Sequence, residues 1–249
     1  MKTVQAASQV AYDLIGDVHG QADKLAGLLR LMGYTPEQRG YRSPKGRKVV
    51  FLGDLIDRGP EQVRTLEIAM AMVDSGEALC IMGNHEFNAI SYATPDVKQP
   101  GECLRPNRLE SRVAQKNRSQ HKAFIDQVGE GSDFHKAAIR WMRRLPVALD
   151  LGGLRAVHAC WDAEALQTLE SAGWVAGQGL SDELLHALHE KGSVLHAARE
   201  RLTCGLEIDL PEGVTIGKDG HTFSNVRIAN WRHEARYIDK GDHRDVEGI

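Results

Sequence analysis

The sequence predicts a mixed α/β fold organised around a parallel sheet. Strand-like and helix-like patterns alternate over the first third of the chain in the order β-α-β-α-β, the arrangement that right-handed crossovers build into parallel sheets. Each of the three strand patterns runs directly into a polar, glycine-containing motif. Ligands on such sheets bind beyond the carboxyl ends of the strands, so this shared position signals a site as well as a fold.

The elements follow in order. Residues 12–15 are short and apolar and end at Gly16-Asp17-Val18-His19-Gly20. Residues 21–32 place Leu25, Leu28, Leu29 and Met32 on one helical face. Residues 48–52 read KVVFL, a β-branched and aromatic run, and end at Gly53-Asp54-Leu55-Ile56-Asp57-Arg58-Gly59. Pro60 suits a first helical position, Val63, Leu66, Met70 and Val73 form a second apolar stripe, and Gly76 closes it. Residues 78–82 give the third strand, ending at Gly83-Asn84-His85-Glu86.

Beyond the third motif the pattern weakens. Residues 88–131 include a run, from 102 to 122, that carries Arg105, Arg108, Arg112, Lys116, Arg118 and Lys122 against Glu102 and Glu110. This stretch reads as a basic helical insertion, either a solvated face or a source of attraction for an anionic substrate. Phe134, Ala137, Ala138, Trp141, Met142 and Leu145 then form a helical stripe, and residues 147–151 and 154–159 read as a hairpin around Gly152-Gly153. Residues 181–202 read as mostly helical, and residues 214–216 and 226–231 as a second hairpin around Lys218-Asp219-Gly220.

Composition bounds the function. The chain has 249 residues, net charge −3 and 42% hydrophobic residues, which suits a single domain over residues 1–249. The near-neutral charge argues against a dedicated nucleic-acid binder. No run approaches the roughly 18 apolar residues of a membrane span, and the N-terminus lacks the apolar core of a secretory signal. The four cysteines, Cys80, Cys103, Cys160 and Cys204, are scattered without a CxxC pair. The expected compartment is the reducing cytoplasm, with no membrane partner.

The chemistry sits in four constellations. Asp17 and His19 can turn toward one cation, although a lone Asp-x-His is usually a turn or a cap. Asp54, Asp57 and Arg58 would be costly to bury unpaired, and a metal plus a phosphate resolves their charges; an exposed Asp-Arg turn does so too. Asn84 offers a neutral oxygen ligand or a helix cap, and His85 a proton. His158, at the end of an apolar strand, fits a core histidine when taken alone.

Together these motifs resemble the calcineurin-like metallophosphoesterase superfamily. Asp57-Arg58-Gly59 and His85-Glu86 point to its phosphoprotein-phosphatase-like branch, which includes bacterial protein phosphatases and symmetrical diadenosine tetraphosphatases. The resemblance is sharp over residues 12–88 and again around His158. It implies a sandwich of two central β-sheets flanked by helices. It implies two divalent metal ions, with Asp17, His19 and Asp54 on the first and Asp54, Asn84 and His158 on the second. Manganese is the implied metal, with iron or zinc as alternatives. The implied reaction is hydrolysis of a phosphate ester by in-line attack of a metal-bridging hydroxide. His85, Asp57 and Arg58 are the implied catalytic residues: His85 protonates the leaving oxygen, Asp57 fixes its ring, and Arg58, Asn84 and His85 hold the phosphate. The partner is a phosphorylated substrate, whether phosphoprotein, phosphomonoester or nucleotide.

The family also supplies a late Gly-His ligand after an apolar strand. Gly220-His221 follows a turn-like pair and fits that role poorly, as does His243. The expectation is that the chain stops before the final strand, leaving that ligand beyond Ile249 or replaced by His221. Two competing readings follow. One is a dinucleoside polyphosphate or nucleic-acid-end phosphohydrolase, favoured by the basic stretch from Arg105 to Lys122. The other is a non-catalytic metal- or phosphate-binding module or a truncated, inactive enzyme, which would leave Asp57, Arg58 and His85 without a purpose.

Overall fold

Val49, Val50 and Phe51 are fully buried because the strand they form lies between two others. The computed structural model describes residues 10–211, 214–218, 221–223, 225–228, 237–238 and 245–246. The chain runs through β1 (Ala11–Ile15), α1 (Ala22–Leu31), a short hairpin of β2 (Thr35–Glu37) and β3 (Gly40–Arg42), β4 (Arg47–Phe51), α2 (Gln62–Asp74) and β5 (Ala78–Cys80). Then come α3 (Asn84–Ala93), α4 (Arg112–Val128), α5 (Asp133–Met142), β6 (Ala148–Asp150) and β7 (Arg155–Val157). Helices α6 (Ala163–Ser171), α7 (Asp182–Leu188) and α8 (Val194–Cys204) precede β8 (Glu207–Asp209), β9 (Ile216–Lys218), β10 (His221–Phe223), β11 (Asn225–Ile228), β12 (Tyr237–Ile238) and β13 (Asp245–Val246).

The central sheet has the order β1-β4-β5 and both pairings are parallel, with Ile15 opposite Phe51 and Phe51 opposite Cys80. Alternation along β4 splits its side chains between two layers. Val49 and Phe51 join the main core with Leu25 and Leu29 of α1 and Leu66 and Met72 of α2. Val50 faces the other way and packs with Ile81 and Ala156, flanked by Leu149 and Leu151. The second layer there is the antiparallel β6-β7 hairpin, while α1 and α2 cover the opposite face of the central sheet, a mixed α/β architecture as expected. Burial of each large apolar side chain contributes on the order of 2 kcal/mol to that packing. No helix among the described residues is long and apolar enough to cross a membrane.

Several boundaries differ from the sequence reading, each for a physical reason. Pro60 is not the first helical residue, because α2 begins at Gln62. Asp57 and Arg58 have φ of 68° and 66°, and the Gly59 and Glu61 N–H groups donate to His19 O and Gly20 O at 3.0 and 2.9 Å. That pinned loop delays the helix. Asn84 is the first residue of α3 and not its cap, a position held by Gly83. Helix α3 continues through Asn88 to Ala93, so the basic segment begins inside a helix. The β2-β3 hairpin and α6 were not expected.

The late hairpin also pairs differently. β9 pairs with β10, while β11 pairs with β8 and β12. The β9-β10 pairing closes a shorter loop than the pairing of 214–216 with 226–231 would. Residues 1–9, 219–220, 229–231 and 243, on which parts of the sequence reading fell, lie outside the described residues, as does the side chain of His221.

Candidate active site

The three strand-end motifs interlock before any side chain is considered. The Val18 and His19 N–H groups both donate to Asp54 O, at 3.0 and 2.9 Å, and Gly20 N–H donates to Leu55 O at 2.8 Å. Five non-glycine residues have positive φ among the described residues, and four of them are His19, Asp54, Asp57 and Arg58. Backbone of this kind is sparsely populated and persists only where its surroundings over-determine it. Here the cross-braces between the loops do so.

Glu86 supplies the strongest brace. It is fully buried and its carboxylate accepts the N–H groups of Asp54, Leu55 and Gly83 at 2.8, 2.7 and 2.9 Å. Burial and the nearby Asp54 charge raise its pKa against the effect of these donors. The close approach of the two loops requires glycine at Gly83, since a Cβ there would overlap Asp54 Oδ1 and stand 2.6 Å from Asp54 N. Asp54 in turn accepts from His85 N at 3.0 Å, placing its charge against the N-terminus of α3.

This frame gathers the side chains singled out in the sequence. Asp54 Oδ2 lies 3.8 Å from His19 Nε2, 3.8 Å from His85 Nε2 and 3.5 Å from His158 Nε2. Asp17 Oδ2 lies 3.6 Å from His19 Nε2, and Asn84 Oδ1 is 3.2 Å from His158 Nε2. Two sets of possible ligand atoms result, His19-Asp54-His85 and Asp17-Asp54-His158, with Asp54 common to both. Asp17 thus stands with His158 as well as with His19.

The second ring nitrogens set the orientations. His19 Nδ1 lies 2.8 Å from Ile56 O and His158 Nδ1 lies 2.6 Å from Leu52 O. His85 Nδ1 meets a carboxylate instead, Asp57 Oδ2 at 2.6 Å. Burial works against charge on both groups, but Asp54 raises the pKa of His158 well above its ordinary value, and His158 in turn lowers that of Asp54.

These residues fit divalent ions. The buried His19 Nε2 has no hydrogen-bond partner, although it faces two carboxylates. Two donors about 2.1 Å from a shared ion stand about 3–4 Å apart, which is the range of the separations around Asp54. The mixed oxygen and nitrogen donor set suits manganese, iron or zinc.

A cavity of about 770 Å³ opens beside this cluster, lined among others by Arg58, Asn84, His85, Arg105, His121 and Lys122. Arg58 is exposed and lines both this cavity and the hollow beside Asp17 and His19. Of the basic segment, Arg108 pairs with Glu130 at 2.7 Å, Arg118 with Glu110 at 3.2 Å and Lys122 with Asp126. Arg105 differs. Its guanidinium donates to the side-chain carbonyls of Asn88 and Gln120 at 2.8 and 2.7 Å. Neutral acceptors orient a guanidinium without neutralising it. Arg112 and Lys116 are exposed.

Three further residues join the site. The sequence marks Glu86 only as part of a motif, Arg105 only as one of a basic run, and His121 not at all. His121 Nδ1 lies 2.7 Å from Asp57 Oδ1. Burial alone would raise the Asp57 carboxyl, but the N–H groups of His121 and His85 outweigh it and hold its pKa below the usual carboxylate range.

A profile of the calcineurin-like phosphoesterase family matches residues 12–185. The chain is 31% identical over 127 residues to an asymmetrical bis(5′-nucleosyl)-tetraphosphatase PrpE of Halalkalibacterium halodurans, covering 51% of this chain and 50% of that protein. It is 41% identical over 73 residues to the protein of the same name from Geobacillus thermodenitrificans, covering 30% of each. The matched part thus spans half or less of these curated relatives. A solved protein serine/threonine phosphatase from Saccharomyces cerevisiae is 15% identical, with 58% of this chain and 39% of that one covered and a TM-score of 0.33, a likeness too slight to bear on the reaction.

Proposed function

This chain belongs to the calcineurin-like phosphoesterase family, and on that premise we propose that it is a metal-dependent phosphoric ester hydrolase. The observation that carries the reading is Asp54 Oδ2, which stands 3.5–3.8 Å from three imidazole Nε2 atoms at the ends of three strand-borne motifs. Asp17, His19, Asp54, Asn84 and His158 would hold two divalent cations, with manganese the proposed metal. Such ions supply Lewis acidity toward a phosphoryl group and a source of hydroxide near neutral pH.

The chain's own residues do the rest. Arg58, exposed and between the two hollows, offers a bidentate guanidinium to the phosphate oxygens. His85 presents Nε2 to the cavity as the proton donor to the leaving oxygen. Its Nδ1 partner supports that role, because a carboxylate stabilises an imidazolium better than a backbone carbonyl does. Asp57 fixes the ring. None of the four cysteines forms a disulfide, which suits the proposed cytoplasmic location.

The test is hydrolysis of p-nitrophenyl phosphate by metal-stripped protein, with and without manganese, for wild type and Asp54→Asn. Manganese-dependent turnover lost in the variant supports the proposal. A folded wild type with no turnover under any divalent metal refutes it and leaves a binding module.

One observation favours a nucleotide substrate over a phosphoprotein. Arg105 places a guanidinium with no carboxylate hydrogen-bond partner in the same cavity as His85. Hydrolysis of a dinucleoside polyphosphate expels an anionic nucleotide, which would use that charge, and the names of the relatives accord with such a substrate. Arg105→Met should raise KM for diadenosine tetraphosphate by roughly 10- to 100-fold, the equivalent of one charged hydrogen bond, and raise it less for p-nitrophenyl phosphate.

A further inference from the structure

Asp57 and His121 are 2% and 3% exposed, so a carboxylate and an imidazole meet out of water. Each Asp57 oxygen has its own ring partner: Oδ1 lies 2.7 Å from His121 Nδ1 and Oδ2 lies 2.6 Å from His85 Nδ1. A carboxylate only accepts, so both rings carry their proton on Nδ1. Rotation of an aspartate about its terminal bond is otherwise loose. A second N–H on the far oxygen removes that freedom.

The position of His121 is itself fixed. Its ring lies between Tyr92 and Phe124, with centroids 4.9 and 4.8 Å away. One and a half turns further along α4, Gln127 accepts the Gln62 N–H at 2.8 Å and donates to Gly59 O at 3.3 Å. Helix α4 is therefore anchored to the Asp57 loop without the help of His121, and the imidazole is free to serve the carboxylate.

We propose that His121 is a positioning residue for the hydrolysis, holding the Asp57 carboxylate in the rotation that aims Oδ2 at His85 and keeps His85 Nε2 turned to the cavity for proton transfer to the leaving oxygen. The inference rests on the reading of His85 as proton donor. It adds to the motif-borne pair a third member from a helix that carries no recognisable motif. Partners of this kind, which act through another side chain, cost roughly 10- to 100-fold in activity when removed.

The experiment compares two substitutions of similar size. The side-chain amide nitrogen of asparagine overlays imidazole Nδ1, whereas that of glutamine overlays Nε2. His121→Asn and His121→Gln are assayed as full-length, manganese-loaded protein on p-nitrophenyl phosphate and phenyl phosphate, with His121→Leu, His85→Asn and Asp57→Asn alongside. Phenol is the weaker acid, so its release depends more on proton donation. The expected result is a kcat loss of roughly 10- to 100-fold for His121→Gln on phenyl phosphate, smaller on p-nitrophenyl phosphate, with KM little changed, and substantial recovery in His121→Asn. Thermal melts establish that each compared variant is folded, and the Asn/Gln pair decides the matter if the leucine variant is not. Equal losses on the two esters, or no difference between asparagine and glutamine, overturn the inference. If His85→Asn and Asp57→Asn still discriminate between the esters, only the role of His121 falls. If they do not, the proton-donor reading falls with it.

Discussion

The backbone N–H of Asp54 donates to Glu86 Oε2 at 2.8 Å. The residue common to both ligand sets is thus held by a buried carboxylate one motif away. Glu86 touches neither the cavity nor the ligand atoms. It takes three N–H groups from two loops and fixes the left-handed turn, with φ of 54° at Asp54. In Glu86→Gln one of these acceptors becomes an NH2 group facing an N–H donor. The expected outcome is a stability loss on the order of 2 kcal/mol and a manganese affinity lower by roughly 10- to 100-fold. Denaturant titration and calorimetric titration with manganese check the two effects.

Glycine at Gly83 is required by contact, whereas at Gly27 it is not. A Cβ at Gly83 would overlap the Asp54 carboxylate, so Gly83→Ala should displace Asp54 and abolish manganese-dependent turnover. Gly27 lies exposed within α1, with nothing within 4 Å of a Cβ. Gly27→Ala should stabilise by about 0.5–1 kcal/mol through helix propensity. Paired melts and assays distinguish the two glycines.

Glu102 ties down the segment between α3 and α4. Its buried carboxylate accepts the N–H groups of Cys103, Asn107, Arg108 and Leu109 at 2.7–3.0 Å. Burial alone would raise its pKa, but these donors outweigh it and hold it at about 2, against an ordinary value of 4.5. A depressed folded-state pKa stabilises the fold above the ordinary value, and that stability is lost as pH falls from 4.5 toward 2. The contribution is on the order of 3 kcal/mol. Urea titrations at about pH 6 and about pH 3 should show wild type losing more stability than Glu102→Gln. Equal losses would mean that other carboxylates govern acid unfolding.

Metal binding should register as stability. If the cluster around Asp54 binds manganese only when folded, saturation at 100 times Kd adds about 2.7 kcal/mol, or roughly 5–10 °C in Tm for a chain of this size. A chelator should reverse the shift, and Asp54→Asn should remove it. An unchanged Tm would mean that these donors do not hold the ion.

The strand-end motifs were legible because their chemistry is local. Glycine, aspartate and histidine at short spacing after an apolar run report a sharp turn, a charge and a donor together; Asp17, His19, Asp54 and His85 converge as their positions on a parallel sheet imply, and His158 joins them from the end of the β6-β7 hairpin. The buried face of helix α4, within the stretch read as a basic helical insertion, was not legible. Its buried stripe of Ala114, Asn117, His121, Phe124 and Val128 includes two polar residues, and no hydrophobic period marks it. Asn117 and His121 are buried because partners distant in sequence satisfy them: Pro106 O accepts from Asn117 at 2.8 Å, and Asp57 meets His121. Pro60 misled for the same reason, since the helix start was displaced by hydrogen bonds to a loop forty residues earlier.

The sequence by itself determined the alternation of the three parallel strands with α1 and α2, the parallel sheet they form and the motif residues that gather around Asp54. Hydrophobic period and turn chemistry act over a few residues and are written in the chain. Only the tertiary structure decided that Asp17 stands with His158 as well as His19, that Glu86 holds the Asp54 turn, that Arg105 alone among the segment's cleft-lining cations has no carboxylate partner, and that Asp57 lies between two imidazoles. Each depends on which buried donor finds which acceptor, and that pairing is settled by the packing of elements whose separation along the chain carries no trace of it.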